Sequence, residues 1–287
     1  MSKQYSIVGH NQYEGQLVDG HLHTELCPHG TGEKVALLIE KAIDLGFYKL
    51  CLTEHAPLPS GFVRRYKGDK EAYDTAAIRT DQVEPYLALG TELQKEYGQY
   101  INLSVGFEVD YLPGFEESTR EFLTLVGPYT GDNLLSVHFM LGVDDGFWCV
   151  DYSEAEFQRG FGPWLTKQDV LYRRYFQSVL EGVQTDFGPH TPVRIGHLDL
   201  IKKYQHHFNF KSSYDKATQQ VIREILQTLR FQNRTLDYNI AGLYKSNCRE
   251  MYPSSFIQGM AYAIGVPYMI GSDSHGVSAF ENAWTPE

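Results

Sequence analysis

The chain has 287 residues, 42% hydrophobic and 21% charged, which excludes a disordered or collagen-like polymer and fits one large domain or two modest ones. Its 25 basic and 36 acidic residues give a formal charge of -11, so a general nucleic-acid or anionic-membrane surface would work against net repulsion. The first residues hold no apolar run of signal-peptide length, no stretch reaches the ~18 apolar residues of a membrane span, and the four cysteines are scattered, so a cytoplasmic protein with reduced thiols is expected.

In chain order, β-rich runs at 16–23, 48–55, 101–111, 133–140, 193–199, 234–240 and 267–272 predict seven strands. Between them, Val35, Leu38, Ile39 and Ala42 follow the Gly30-Thr31-Gly32 turn at helical spacing, as do Val221, Ile222, Ile225, Leu226 and Leu229 after Ser212-Ser213. Further helices are predicted around 81–98, 166–187 and 253–264, while 56–80 and 142–166, rich in Gly, aromatics and charge, read as long loops. Strands alternating with helices predict a parallel sheet. Seven or eight such units in about 250 residues predict a closed or nearly closed barrel, with an open doubly wound sheet as the alternative. No repeat, low-complexity tract or linker divides the chain, so residues 1–287 read as a single domain.

Nearly every predicted strand ends in groups able to bind a metal: His21 and His23, Glu54 and His55, Glu108 and Asp110, His138, His197 and Asp199, then Asp273 and His275. In a parallel barrel the C-terminal strand ends open on one face, so residues far apart in sequence become neighbours there. His21 and His23 alternate along an extended strand and both reach one cation, with Asp19 expected to support a ligating imidazole. Taken alone, an H-x-H pair also describes a strand facing water. Glu108 ends an apolar run, where a carboxylate is costly unless it meets a cation or hydrogen-bond donors; bridging two metals satisfies it, and a salt bridge is the alternative. Cys27 reads as a packed thiol rather than a nucleophile.

Asp19-Gly-His-Leu-His-Thr, Thr53-Glu-His, Gly106-Phe-Glu-Val-Asp, Ser136-Val-His, Gly196-His-Leu-Asp and Gly271-Ser-Asp-Ser-His together resemble the polymerase-and-histidinol-phosphatase (PHP) superfamily. Cys27-Pro-His-Gly, Thr53-Glu-His-Ala-Pro-Leu-Pro, Gly196-His-Leu-Asp-Leu-Ile-Lys-Lys and Leu236-Asp-Tyr-Asn-Ile-Ala-Gly-Leu are similar to its monofunctional histidinol-phosphatases, in order from about residue 15 to 276. The resemblance implies an α/β fold, a distorted (βα)7 TIM-like barrel, with two to three divalent transition metals (Zn, Fe or Mn) at the C-terminal strand ends. It assigns His21, His23, Glu108 and Asp273 to a first metal. Glu108 would bridge to a second held by His138 and His197, and His29, His55 and His275 would hold a third. Two departures stand out: Asn239-Ile-Ala-Gly replaces the usual Asn-Thr-Ser/Ala-Gly, and the sequence runs only to Ala283-Trp-Thr-Pro-Glu after His275, leaving open a missing terminal helix.

The implied activity is hydrolysis of L-histidinol phosphate to L-histidinol and phosphate in histidine biosynthesis. Phosphomonoester hydrolysis is very slow in water, and a metal pair can both activate water and hold phosphate oxygens. Glu108 and His197 are expected at the chemistry, with Asp199 either protonating the leaving group or orienting His197. Arg64, Arg159 and Arg249, each in a loop after a strand, are the expected phosphate contacts, and Glu117 is an expected contact for the histidinol moiety. A small phosphomonoester substrate is expected, with no nucleic-acid or membrane partner. The alternatives are a PHP-type phosphoesterase acting on another small phosphate or a nucleic-acid end, and a metal-binding regulatory module without catalysis.

Overall fold

A computed structural model describes residues 7–285; the outermost residues of the predicted domain, 1–6 and 286–287, lie outside them. The elements run β1 (His10–Asn11), β2 (Val18–Leu22), α1 (Val35–Asp44), β3 (Lys49–His55), α2 (Lys70–Thr75), α3 (Val83–Tyr97), β4 (Asn102–Asp110), α4 (Glu116–Val126) and β5 (Leu134–Ser136). They continue with β6 (Phe139–Leu141), β7 (Phe147–Cys149), α5 (Glu154–Leu165), α6 (Gln168–Gln184), β8 (Arg194–Ile195), α7 (Lys216–Phe231), β9 (Thr235–Asn239), α8 (Ser255–Ile264), β10 (Pro267–Gly271) and α9 (Val277–Trp284).

The main sheet is parallel throughout, in the order β1-β10-β9-β8-β5-β4-β3-β2. Strand β1 covers the start of β10, and the end of β2 covers the segment just past β10: Asp273 N donates to His21 O at 2.8 Å and His23 N to Ser274 O at 3.0 Å. These bonds curl the sheet round on itself as a distorted seven-stranded barrel of the TIM type. The open doubly wound alternative does not occur. Helices form where the apolar spacing places them: α1 buries Val35, Leu38, Ile39 and Ala42. Helix α7 starts at Asp215, whose carboxylate accepts from Thr218 N at 2.7 Å, and α8 stops at Gly265, whose φ of 84° suits a residue without a Cβ.

Inside the barrel, below the metal-competent residues, the guanidinium of Arg194 is 1% exposed and donates to the carbonyls of Gly20 and Asp132. Gly20 has to be glycine: a Cβ there would stand 2.5 Å from Met269 Sδ and 2.6 Å from Arg194 Nη1.

The two predicted long loops are in fact folded. Segment 56–80 contains α2, and segment 142–166 contains β7 and α5. The run predicted as one strand over 133–140 breaks after Ser136, and Phe139–Leu141 leaves the barrel to pair antiparallel with Phe147–Cys149. A second apolar cluster of Phe62, Tyr66, Ala72, Leu112, Phe139, Phe147 and Cys149 forms there, apart from the barrel's core. It holds the two insertions together as a cap over the C-terminal strand ends. No helix of the described residues is long and apolar enough to cross a membrane.

Candidate metal centre and active site

Glu108 lies at the middle of the site, 2% exposed near the end of β4. Its two oxygens face different partners. Oε2 lies 3.2 Å from His21 Nε2, 3.7 Å from His23 Nε2 and 3.1 Å from His55 Nδ1. Oε1 lies 2.8 Å from His197 Nε2 and 3.5 Å from His138 Nε2, and accepts from Ser136 Oγ at 2.6 Å. Burial opposes its charge, yet the imidazoles of His21, His138 and His55 hold the carboxyl well below the usual range. Asp273 stands opposite, its Oδ1 3.2 Å from His23 Nε2 and 3.8 Å from His21 Nε2. Its backbone takes a left-handed φ of 56°, uncommon outside glycine, and Asn239 Nδ2 donates to its Oδ2 at 3.1 Å.

Five imidazoles are fixed by an acceptor behind them. Nδ1 lies 2.8 Å from Asp237 Oδ2 in His21, 3.2 Å from Glu54 Oε1 in His23 and 3.0 Å from Asp110 Oδ1 in His138. In His29 it lies 2.7 Å from Thr75 O, and in His275 2.9 Å from Asp273 O. Because these oxygens only accept, each Nδ1 carries a hydrogen, which leaves Nε2, turned inward, as the atom able to take a metal.

This arrangement fits metal ions. His29 and His275 bring their Nε2 atoms within 2.9 Å, and burial keeps the His275 ring below its ordinary pKa, so its lone pair faces His29. His138 and His197 bring their Nε2 atoms within 3.1 Å, with His197 Nε2 also 2.8 Å from Glu108 Oε1, while His55 Nε2 and His197 Nδ1 are buried without a hydrogen-bond partner. Ligand atoms of His21, His23 and Glu108, and of His55, Glu108 and His138, lie within 4.8 Å of one another, as do those of His23, Cys27, His55 and His275. Imidazole and carboxylate donors suit zinc, iron or manganese. Cys27 is buried in the last group, and burial pushes its thiol up. All nine residues named for metals thus converge on one cluster, and a cavity of about 400 Å³ opens beside it.

The other candidate residues lie elsewhere. The Asp19 carboxylate accepts from the backbone amides of His21 (3.1 Å) and Ser272 (2.8 Å) and from Trp284 Nε1 (2.7 Å). It ties β2 to β10 and α9, while Asp237 holds the His21 ring in its place. Asp199 is fully buried and accepts from Tyr214 OH at 3.0 Å and Ser254 N at 3.0 Å; it neither lines the cavity nor contacts the His197 ring. Its carboxylate braces a loop through Tyr214 and Ser254.

None of the expected substrate contacts lines the cavity. Arg159 pairs with Asp69 at 2.6 Å on the outside of the cap, and Glu117 pairs with Arg120 at 2.5 Å along α4. Arg249 donates to Ser246 O at 2.8 Å, and Arg64 ends an exposed turn. Two lysines reach the cavity, Lys203 and Lys245, and of these Lys203 donates to Asp151 O at 2.6 Å and Oδ2 at 3.0 Å. Burial disfavours its charge, but the Asp151 carboxylate holds its pKa above the ordinary value. Tyr152, Tyr252 and Asp151 line the cavity too, and α2 lends Ala72 and Thr75. Sequence reasoning assigns Lys203 no role, although it lies in the Gly196-His-Leu-Asp-Leu-Ile-Lys-Lys run. Asp237 could have been found by the criterion applied to Glu108, a carboxylate within a buried strand.

The sequence pattern of the PHP domain matches residues 19–241. A histidinol-phosphatase from Bacillus subtilis (strain 168) is 31% identical over 257 residues, 90% of this chain and 92% of the relative. A Deinococcus radiodurans relative, for which the same activity has been inferred, is 29% identical and covers 90% of this chain and 86% of its own. Among solved structures, a Listeria monocytogenes protein inferred to be the histidinol phosphatase hisK superposes with a TM-score of 0.88 at 37% identity, over 91% of this chain and 96% of that one. The histidinol phosphate phosphatase of Lactococcus lactis subsp. lactis Il1403, complexed with Zn, L-histidinol and phosphate, shares the fold with a TM-score of 0.66 at 20% identity, over 93% and 91%. Together with the barrel and its ring of strand-end ligands, these likenesses show that the chain belongs to the PHP-domain family, in its histidinol-phosphatase branch.

Proposed function

We propose that this protein is a metal-dependent histidinol-phosphatase that hydrolyses L-histidinol phosphate to L-histidinol and phosphate in histidine biosynthesis. The observation that carries this reading is the convergence of inward-facing imidazoles on both oxygens of Glu108, beside a cavity that holds a charged lysine. We further read residues 1–287 as one barrel domain working in the cytoplasm on a small phosphomonoester, without nucleic acid or membrane.

In this reading His21, His23, Glu108 and Asp273 hold one metal. Glu108 also serves a second with His138 and His197, and His29, His55 and His275 serve a third. Divalent metals bound there supply Lewis-acid activation of water and neutralise phosphoryl charge, so no protein nucleophile is needed. Asp237, Glu54 and Asp110 keep the rings turned inward and raise their basicity. Lys203, steered by Asp151, donates to a phosphate oxygen, taking the part expected from sequence of Arg64, Arg159 or Arg249. The alanine and threonine side chains of α2 leave room for the leaving alcohol under the cap.

The test is a panel of phosphomonoesters scored by kcat/KM with the metal-loaded protein. Histidinol phosphate is expected to lead by at least about tenfold, the size of one lost specific contact. An equal or higher value for an unrelated small phosphate, or for a nucleic-acid end, removes the substrate assignment.

A further inference from the structure

The carboxylate of Glu156, in the first turn of α5, is 0% exposed and lies outside the metal cluster. It accepts three hydrogen bonds, from Tyr66 OH at 2.5 Å, Cys149 N at 2.9 Å and Asp69 N at 2.9 Å. Tyr66 and Asp69 belong to the first insertion, Cys149 and Glu156 to the second, so one buried carboxylate joins the two halves of the cap. Burial and Glu156 push the Tyr66 phenol upward, which keeps it the donor. The chain between is pressed onto this carboxylate: a Cβ on Gly68 would fall 2.0 Å from Glu156 Oε1.

Asp69 is also the residue from which α2 starts, and α2 is a rod of six residues, about 9 Å long at 1.5 Å per residue. At its far end the carbonyl of Thr75 accepts from His29 Nδ1 at 2.7 Å. That bond turns His29 Nε2 toward His275 Nε2, 2.9 Å away. His29 itself sits on an exposed turn, and the Thr75 carbonyl is the acceptor that fixes its ring from behind. The chain of contacts therefore runs from Glu156 to Asp69, along α2 to Thr75, and on to the ring of His29.

We propose that Glu156 is a positioning residue for the metal site of His29: by fixing the start of α2 it sets where the Thr75 carbonyl stands, and thereby the aim of the His29 ring. The proposal rests on the reading of His29 as a ligand. It makes the cap part of the metal centre, so that the site of His29, His55 and His275 loses affinity when the cap loosens while the other two sites do not. Partners that orient a ligand typically set affinity by tenfold or more.

The experiment titrates Zn2+ into metal-stripped wild type, Glu156→Gln, His29→Ala and the double variant, using a competing fluorescent chelator. Gln keeps the shape of Glu156 but turns an NH2 toward groups that are already donors. Glu156→Gln is expected to weaken one of the three sites about tenfold, leaving the other two unchanged. His29→Ala is expected to weaken the same site further, and the double variant to match His29→Ala, since the two changes act through one ring. If His29→Ala weakens one site and Glu156→Gln weakens none, or weakens all three equally, the positioning role is wrong while the ligand reading stands. If His29→Ala changes no site, the ligand reading falls and the proposal with it. Should Glu156→Gln fail to fold, Tyr66→Phe, which removes one donor, decides: selective weakening of that site supports the proposal, and none overturns it.

Discussion

Replacing Lys203 with Met separates phosphate recognition from the structural work the same side chain does. The ammonium lies 3.0 Å from Asp151 Oδ2 at the cavity wall, and the two side chains are 21% and 24% exposed. A charge-assisted contact to phosphate is worth about 1.5–3 kcal/mol, so its loss should lower kcat/KM by roughly one to two orders of magnitude. The substitution also strips Asp151 of its cation; a fully buried charge left so costs about 3–5 kcal/mol, and this partly solvated one less. Lys203→Met alone therefore loses both activity and stability. Lys203→Met with Asp151→Asn removes both charges and should recover most of the stability but not the activity. Lys203→Arg should retain part of kcat/KM. Steady-state phosphate release from histidinol phosphate, bound metal and urea unfolding, measured on each variant, give the answer. A stable, metal-loaded double variant with native kcat/KM would refute the assignment of Lys203 to phosphate.

Glu108→Gln removes the charge that both halves of the cluster share, so metal content by elemental analysis and turnover should collapse together while the circular dichroism spectrum stays native; near-native metal content contradicts the bridge. Arg159→Ala should leave kcat/KM within about twofold of wild type, because the guanidinium is paired with Asp69 on the outside of the cap; a drop of about tenfold would return it to the phosphate site. Metal uptake should release protons and weaken as pH falls. Without metal, burial works against charge on His23 and His138, but the carboxylates beside them, Asp273 and Glu54 for His23, Asp110 and Glu108 for His138, push them up to about 9 and about 10, so both hold protons that an incoming cation must displace. With folded values raised above the unfolded one, their contribution to the stability of the metal-free protein is complete below pH about 6.5 and is lost as pH rises through about 9 and 10. Calorimetry in buffers of different ionisation heat, and unfolding of the stripped protein across that pH window, check both signs.

The barrel is legible in the sequence because its strands are short β-rich runs closed by residues too polar for a core, and the repetition of that signature from strand to strand marks one face. The cap is not. Segment 56–80 has no period of its own, and β6, β7 and α2 are held by each other through Phe62, Phe139 and Phe147 rather than by local pattern; only α5 carries a local signal, Ser153 capping it and Phe157 and Phe161 sharing one face. The break after Ser136 is hidden for the same reason: Phe139–Leu141 is as β-prone as Leu134–Ser136, and only its partner at 147–149 draws it out of the sheet. Charge pairing is equally non-local. Nothing near Arg159 shows that Asp69, ninety residues earlier, takes its guanidinium. Nor does the Lys202-Lys203 pair reveal which lysine turns to the cavity; Lys202 is 2% exposed and is held by Glu250. The metal residues are legible because cations demand particular donors at strand ends, whereas contacts to substrate depend on which loops meet above them.

Hydrolysis of histidinol phosphate should depend on metals held by this cluster. The most direct measurement strips the protein of metal, restores Zn2+, Mn2+ or Fe2+ in steps, and records bound metal and phosphate release on the same samples. The expected result is no turnover in the stripped protein and activity that rises with loading to a plateau at two to three ions per chain, with Glu108→Gln failing to respond. Full activity in the stripped protein, or a loaded protein with two to three ions that does not hydrolyse histidinol phosphate, would contradict it.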